Sequence, residues 1–224
     1  MKKIIPLFFI LLVFLSSCSK DDDFPQIKNI TKGQKWTLKI GSNASQVYSQ
    51  LQELNLSKKF NTVSIVYRKP YAKPENIKSN ISLYNSISLE TTSGVLERTL
   101  ITFGEDDKVN TIEKGGGLLN PIQKWPENQT NNSTIKINDR TDVIKDKLIE
   151  IYKIPTYQNY QIILPDKLVT KPYDPDMENY DEWAFSFFEN ISQVRDGRNS
   201  VRLYFKNSQL IKIRNEYEEF DMVN

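Results

Sequence analysis

Apolar residues along this chain follow two alternating registers. Val47, Leu51 and Leu54 recur at helical spacing, and so do Ile144, Leu148 and Ile151. Each run follows a short apolar strip and a pair of small polar residues, Ser42 with Ser45 or Asp139 with Asp142. Such side chains accept hydrogen bonds from the free amides of a helix start. Pro155 disfavours helix at the residue before it, so the second helix is predicted to stop near Ile154. Elsewhere the period is two. "WAFSFF" puts Trp183, Phe185 and Phe187 on one face. "VRLYFK" puts Val201, Leu203 and Phe205 on one face and Arg202, Tyr204 and Lys206 on the other. "EDDK" at 105–108 and "KNSQ" at 206–209 read as hairpin turns.

The two registers occur in the same order twice. "LKIGSNASQVYSQLQEL" (38–54) aligns without a gap to "IKINDRTDVIKDKLIEI" (135–151), with Lys39, Ile40, Leu51 and Glu53 over Lys136, Ile137, Leu148 and Glu150. Val63 and Ile65 fall over Tyr160 and Ile162, "SISLE" over "AFSFF", and Ile101 and Phe103 over Leu203 and Phe205. Self-similarity at a fixed offset marks a repeated unit. The expectation is an α+β fold of two tandem repeats, 35–114 and 135–224, each a helix packed on an antiparallel β-meander. Residues 115–134, rich in Gly, Pro and Asn, form a linker or ordered crossover, and Leu118, Leu119 and Trp125 are expected to dock it. The element "LKIGSNASQVYSQLQEL" resembles the opening of the SmpA/OmlA and beta-lactamase-inhibitory-protein group, and tandem copies resemble the inhibitory protein. The second copy carries Asn138 where the first has Gly41. The resemblance implies a helix-and-sheet unit and carries no binding residues across.

The amino terminus bears on location. Lys2 and Lys3 precede an apolar run, Ile4 to Leu15, too short for a bilayer core, which needs about 20 apolar residues. It fits a secretory signal over residues 1–17. "LSSC" resembles the lipobox of bacterial lipoproteins, which implies cleavage before Cys18 and lipidation of its thiol and new amino terminus. Two or more acyl chains anchor a protein stably. The next residues, Ser19, Lys20, Asp21, Asp22 and Asp23, resemble the export signal that Bacteroidota use to place lipoproteins on the outer face of the outer membrane. Residues 18–34 are then a lipid-anchored tether. The expected location is the outer membrane, at the cell surface, with a periplasm-facing position as the alternative.

Loss of residues 1–17 removes two lysines and no acids, so 28 basic and 28 acidic residues remain. That balance argues against a nucleic-acid binder, which carries a basic excess. The chain has no histidine and its only cysteine is Cys18. Ser–His and Cys–His nucleophile pairs and histidine-ligated zinc are therefore excluded. In "YDPDMENYDEW" (173–183), Asp174, Asp176 and Glu178 alternate like the early positions of a calcium loop. Asn179 stands where that loop wants Gly, and Phe185 where it wants a carboxylate. A solvated insertion is the plainer reading. No metal site, cofactor or catalytic residue is assigned.

A sheet covered by a helix on one side keeps a second, open face. Alternation puts Gln161, Ile163, Ser186, Phe188, Arg202, Tyr204, Lys206, Lys212 and Arg214 on that face in the second half. Tyrosine and arginine are common anchors of protein interfaces. Phe188, Arg202, Tyr204, Lys206, Lys212 and Arg214 are the candidate partner-binding residues. The expectation is a non-catalytic binding protein with a protein partner. The alternatives are a glycan binder using Trp36, Trp125 or Trp183 as sugar platforms, and a carboxylate-dependent hydrolase.

Overall fold

Two long segments, residues 66–85 and 164–181, come after the first strand beyond each helix, and they decide how the sheets assemble. The computed structural model describes residues 25–221; the signal sequence, Cys18 and Ser19 to Asp23 lie outside the described residues. The first half contains β1 (Gln26–Ile30), β2 (Gln34–Lys35), β3 (Leu38–Lys39), α1 (Ala44–Lys58), β4 (Thr62–Ile65), β5 (Ser86–Thr91), β6 (Arg98–Phe103) and β7 (Val109–Gly115). Then come β8 (Asn120–Ile122), β9 (Lys124–Trp125), β10 (Ile135–Lys136) and α2 (Thr141–Tyr152). The chain continues through β11 (Tyr160–Ile163), β12 (Asp166–Leu168), β13 (Glu182–Asn190), β14 (Arg195–Lys206) and β15 (Gln209–Asp221). The class is α+β, with more strand than helix and every strand pair antiparallel.

A six-stranded sheet has the order β1-β15-β14-β13-β4-β12, and a five-stranded sheet the order β11-β5-β6-β7-β8. The halves are therefore interleaved. β4 leaves its own meander and pairs with β13, Trp183 opposite Ile65. β11 pairs with β5, Ile162 opposite Leu89. The helices go with their strands. The entry to α1 is hydrogen-bonded to the β14–β15 turn: Gly41 N donates to Leu210 O at 2.8 Å, and Ala44 N to Ser208 O at 3.0 Å. The entry to α2 uses the β6–β7 turn in the same way: Asn138 N donates to Val109 O at 2.9 Å, and Thr141 N to Asp107 O at 2.9 Å. Gly41 (φ 91°) and Asn138 (φ 70°) share the left-handed conformation, which glycine and, next to it, asparagine adopt most readily.

The repeat pattern predicts each meander under its own helix; the pairing places it with the other half's helix and first strand. The reason is connection length. A turn of a few residues holds β6 beside β7 and β14 beside β15, whereas the long segments after β4 and β11 let those strands part from their neighbours in sequence. Both halves feed one contiguous core, with Val47, Leu51, Ile144, Leu148, Ile87, Ile101, Val201 and Leu203 in a single cluster. The stretch 115–134 is an ordered crossover: Trp125 is buried on β9, while Leu118 stays exposed. Part of the expected tether, residues 26–30, is strand β1, which covers the edge of the 13-residue β15. An unpaired edge of that length would otherwise invite another strand.

The caps differ from expectation. Asn43, not Ser42, caps α1, accepting from Gln46 N while the Gln46 side chain accepts from Asn43 N. Ser42 instead accepts from Gln50 Nε2 at 3.0 Å. Asp139 accepts from Lys136 N and pairs with Lys147 at 2.5 Å. The second helix ends at Tyr152, close to the stop expected from Pro155.

Candidate functional site

Alternation along β13 and β14 sends Trp183, Phe185, Phe187, Val201, Leu203 and Phe205 into the core. Arg202, Tyr204 and Lys206 face outward by the same rule. On this outer face charges are laced across neighbouring strands. Arg202 is opposite Arg214. Each is held by its own carboxylate, Arg202 by Glu182 at 2.6 Å and Arg214 by Glu216 at 3.1 Å. Lys212 sits over the Tyr204 ring, 3.8 Å from its centroid.

At the end of the sheet where β14 turns into β15 lies a groove of about 710 Å³. Its walls are Val66, Tyr67, Tyr180, Tyr204, Ile211 and Lys212, with Asn179, Asp181 and Glu182 along one rim. Tyr67 stands out. It is 84% exposed and its backbone is left-handed, φ 57°. That conformation is an outlier for a bulky side chain and persists only where the surroundings enforce it.

The enforcement comes from the next residue. Arg68 is buried and donates to Tyr84 Oη at 2.5 Å, Tyr71 Oη at 2.8 Å, Ser79 Oγ at 3.1 Å and Asp176 Oδ2 at 2.7 Å. Tyr84 in turn donates to Asp174, whose other oxygen accepts from Asp176 N at 3.0 Å. With Arg68 pinned inside, the preceding side chain is thrown out over the groove. The same contacts fix residues 173–183 as the facing wall, with Trp183 Nε1 donating to Met177 O at 3.3 Å.

Asp174 and Asp176 of the acidic stretch are therefore structural, while Glu178 and Asp181 stay exposed to solvent. Asp174 is buried and Asp176 is paired, so neither carboxylate is poised for a cation. Among the described residues no group of three or more His, Cys, Asp and Glu side chains could hold a metal ion. Trp125 and Trp183 are buried in the core and cannot serve as sugar platforms. Trp36 packs edge-on against Phe187 at 5.2 Å under Lys35.

Comparison of the chain with protein-family models, with curated proteins and with solved structures gives no match.

Of the six candidate partner-binding residues, Tyr204 and Lys212 line the groove. Arg202 and Arg214 lie on the adjoining sheet face, and Lys206 is exposed at the strand end opposite Gln209. Phe188 sits at the far end, against Phe220. Gln161 and Ile163 belong to the other sheet, because β11 pairs with β5. Tyr67, Tyr180 and Ile211 escape sequence reasoning. Tyr67 reads as the end of a strand, and nothing in the side chain of a tyrosine announces a positive φ.

A second buried polar cluster joins β12 to α1. Lys167, fully buried on β12, donates to Tyr48 Oη at 2.7 Å and to Leu168 O at 2.8 Å. Burial lowers its pKa to about 7, with Asp174 opposing the shift and Lys171 adding to it. Burial likewise pushes the Tyr48 phenol well above its ordinary value. Its hydrogen-bond partners, Tyr48, Leu168 and Lys171, all lie outside the groove lining.

Proposed function

We propose that this chain is a non-catalytic binding protein, lipid-anchored through Cys18 to the outer membrane and displayed at the cell surface. It takes a protein partner in the tyrosine-walled groove and across the adjoining charged sheet face. Its framework is two helix-and-meander repeats that have exchanged their helix–strand units. Among the described residues no helix is long and apolar enough to cross a membrane. The observation that carries the reading is Tyr67, exposed and held in an unfavourable backbone conformation over a groove that also offers Tyr180, Tyr204 and Ile211. Strain held at an exposed aromatic side chain is a mark of a functional site, and tyrosines are frequent anchors in interfaces.

Pull-down from detergent-solubilised outer membranes tests it. The wild-type chain should retain one stoichiometric protein, and a Tyr67→Ala/Tyr204→Ala double variant should lose it. Equal retention by both chains would refute the groove as the binding site. A second reading, a glycan ligand, has one observation in its favour: Asn179, Asp181 and Glu182 rim a groove whose size suits a small ligand, about 300–1,000 Å³. Retention on a polysaccharide column, abolished by Tyr67→Ala, would select it.

A further inference from the structure

The end of the six-stranded sheet away from the groove carries an apolar tip. Phe188, Ile191, Val194 and Phe220 are 59%, 43%, 58% and 38% exposed. They sit at the β13–β14 turn and the last residues of β15. Phe188 and Phe220 meet edge to face at 6.1 Å across β14. The arginines nearby are already matched, Arg195 with Glu219 at 3.2 Å and Arg198 with Glu218 at 2.5 Å. What the tip offers is apolar surface beside two matched arginines and the acids Asp196 and Asp221.

The direction of β1 says what lies beyond the tip. β1 runs antiparallel to β15, with Gln26 opposite Tyr217, and Tyr217 is opposite Asn199. The chain ahead of Gln26 is therefore aimed along the sheet toward the level where Arg195 meets Asp221. That level is four residues further on, or about 13 Å. Cys18 is eight positions ahead of Gln26, a reach of about 28 Å at full extension. A tether that short keeps the whole sheet close to whatever holds Cys18, and it is the direction in which β1 starts, not the tether's length, that turns the Arg195–Asp221 end toward it.

We propose that the β13–β14 tip is a membrane-contact surface, with Ile191, Val194, Phe188 and Phe220 seated at the headgroup–acyl boundary of the anchoring bilayer. The proposal rests on the lipid-anchor reading of Cys18. Shallow burial of apolar side chains adds to the hold of the acyl chains and is the usual mode of interfacial attachment. It also sets orientation. From Val194 to Tyr204 the sheet rises about 33 Å, so the groove is presented away from the bilayer.

The test uses the lipidated full chain carrying Val194→Cys, labelled with an environment-sensitive fluorophore and placed in nanodiscs of phosphatidylethanolamine and phosphatidylglycerol. Lys206→Cys, at the opposite end of β14, is labelled in parallel. The expected result is a blue-shifted emission at position 194, quenched several-fold by nitroxide-labelled lipids, and a water-like emission at position 206. A water-like emission at both positions, from protein that remains bound to the nanodisc, overturns the tip and leaves the anchor standing. A shift at position 194 seen only in native outer membranes, and not in nanodiscs, overturns it in favour of a protein neighbour. Mass spectrometry separates the remaining case. A second fluorophore on Cys18 would show a bare thiol, and the anchor reading and the proposal would fall together.

Discussion

Lys167 gives the protein an unusual dependence on pH. The side chain is fully buried, its nearest partners are the neutral Tyr48 hydroxyl and backbone carbonyls, and its pKa is lowered from 10.5 to about 7. Between those two values the unfolded chain holds a proton that the folded chain has released, so stability rises with pH across the window. From the two pKa values, keeping the group in the core costs about 4 kcal/mol at pH 7 and about 2 kcal/mol at pH 9. The wild-type chain should gain the difference, roughly 2 kcal/mol, between pH 7 and pH 9, or 4–8 °C in Tm. There is no histidine to titrate nearby in pH. Lys35, also lowered by burial, acts in the same direction. Above about pH 10 the trend reverses, because Tyr84, Tyr152 and Tyr160 are pushed up by burial and resist ionisation only when folded. Lys167→Met isolates the contribution, since Tyr48 Oη keeps Leu168 O and Lys171 O as acceptors. Urea titrations followed by tryptophan fluorescence at pH 7 and pH 9, on Cys18→Ser chains with and without Lys167→Met, give the double difference. A variant as pH-dependent as its parent, or a parent less stable at pH 9, would refute the reasoning.

Three further outcomes are expected. Gly41→Ala costs about 1 kcal/mol from its φ of 91° even though the added Cβ meets nothing within 4 Å, and Asn138→Gly is near neutral; chemical denaturation checks both. Tyr67→Asn raises stability by about 0.5–1 kcal/mol by relieving the left-handed strain, and abolishes partner retention in the same pull-down. Trp183→Ala lowers stability by about 3–5 kcal/mol as a core truncation, which the same urea titrations measure.

Local structure was legible where side-chain periodicity is strong. The helical runs at Val47–Leu54 and Ile144–Ile151 form α1 and α2, and the period-two segments at 183–187 and 201–205 bury the residues that alternation selects. The partners of those strands were not legible, because an apolar strand end fits either meander equally well. Only the lengths of 66–85 and 164–181 hinted that β4 and β11 could separate from the meanders next to them in sequence. The outer-face residues were readable for the same reason as the core. The groove was not, since it depends on Arg68 being drawn inward among Tyr71, Tyr84 and Asp176, which come from separate parts of the chain. Charge at Asp174 and Asp176 suggested solvent, whereas their partners are a buried tyrosine and a buried arginine.

The interleaving of the halves has a bearing on biogenesis. The five-stranded sheet is drawn from the contiguous stretch 86–163, whereas the six-stranded sheet joins strands from both ends of the chain, so that sheet cannot close before β13 to β15 exist. Contacts so distant in sequence form slowly. The first and last strands of that sheet stand at opposite ends of the described residues, so the molecule reaches its final shape only once its last third has been made.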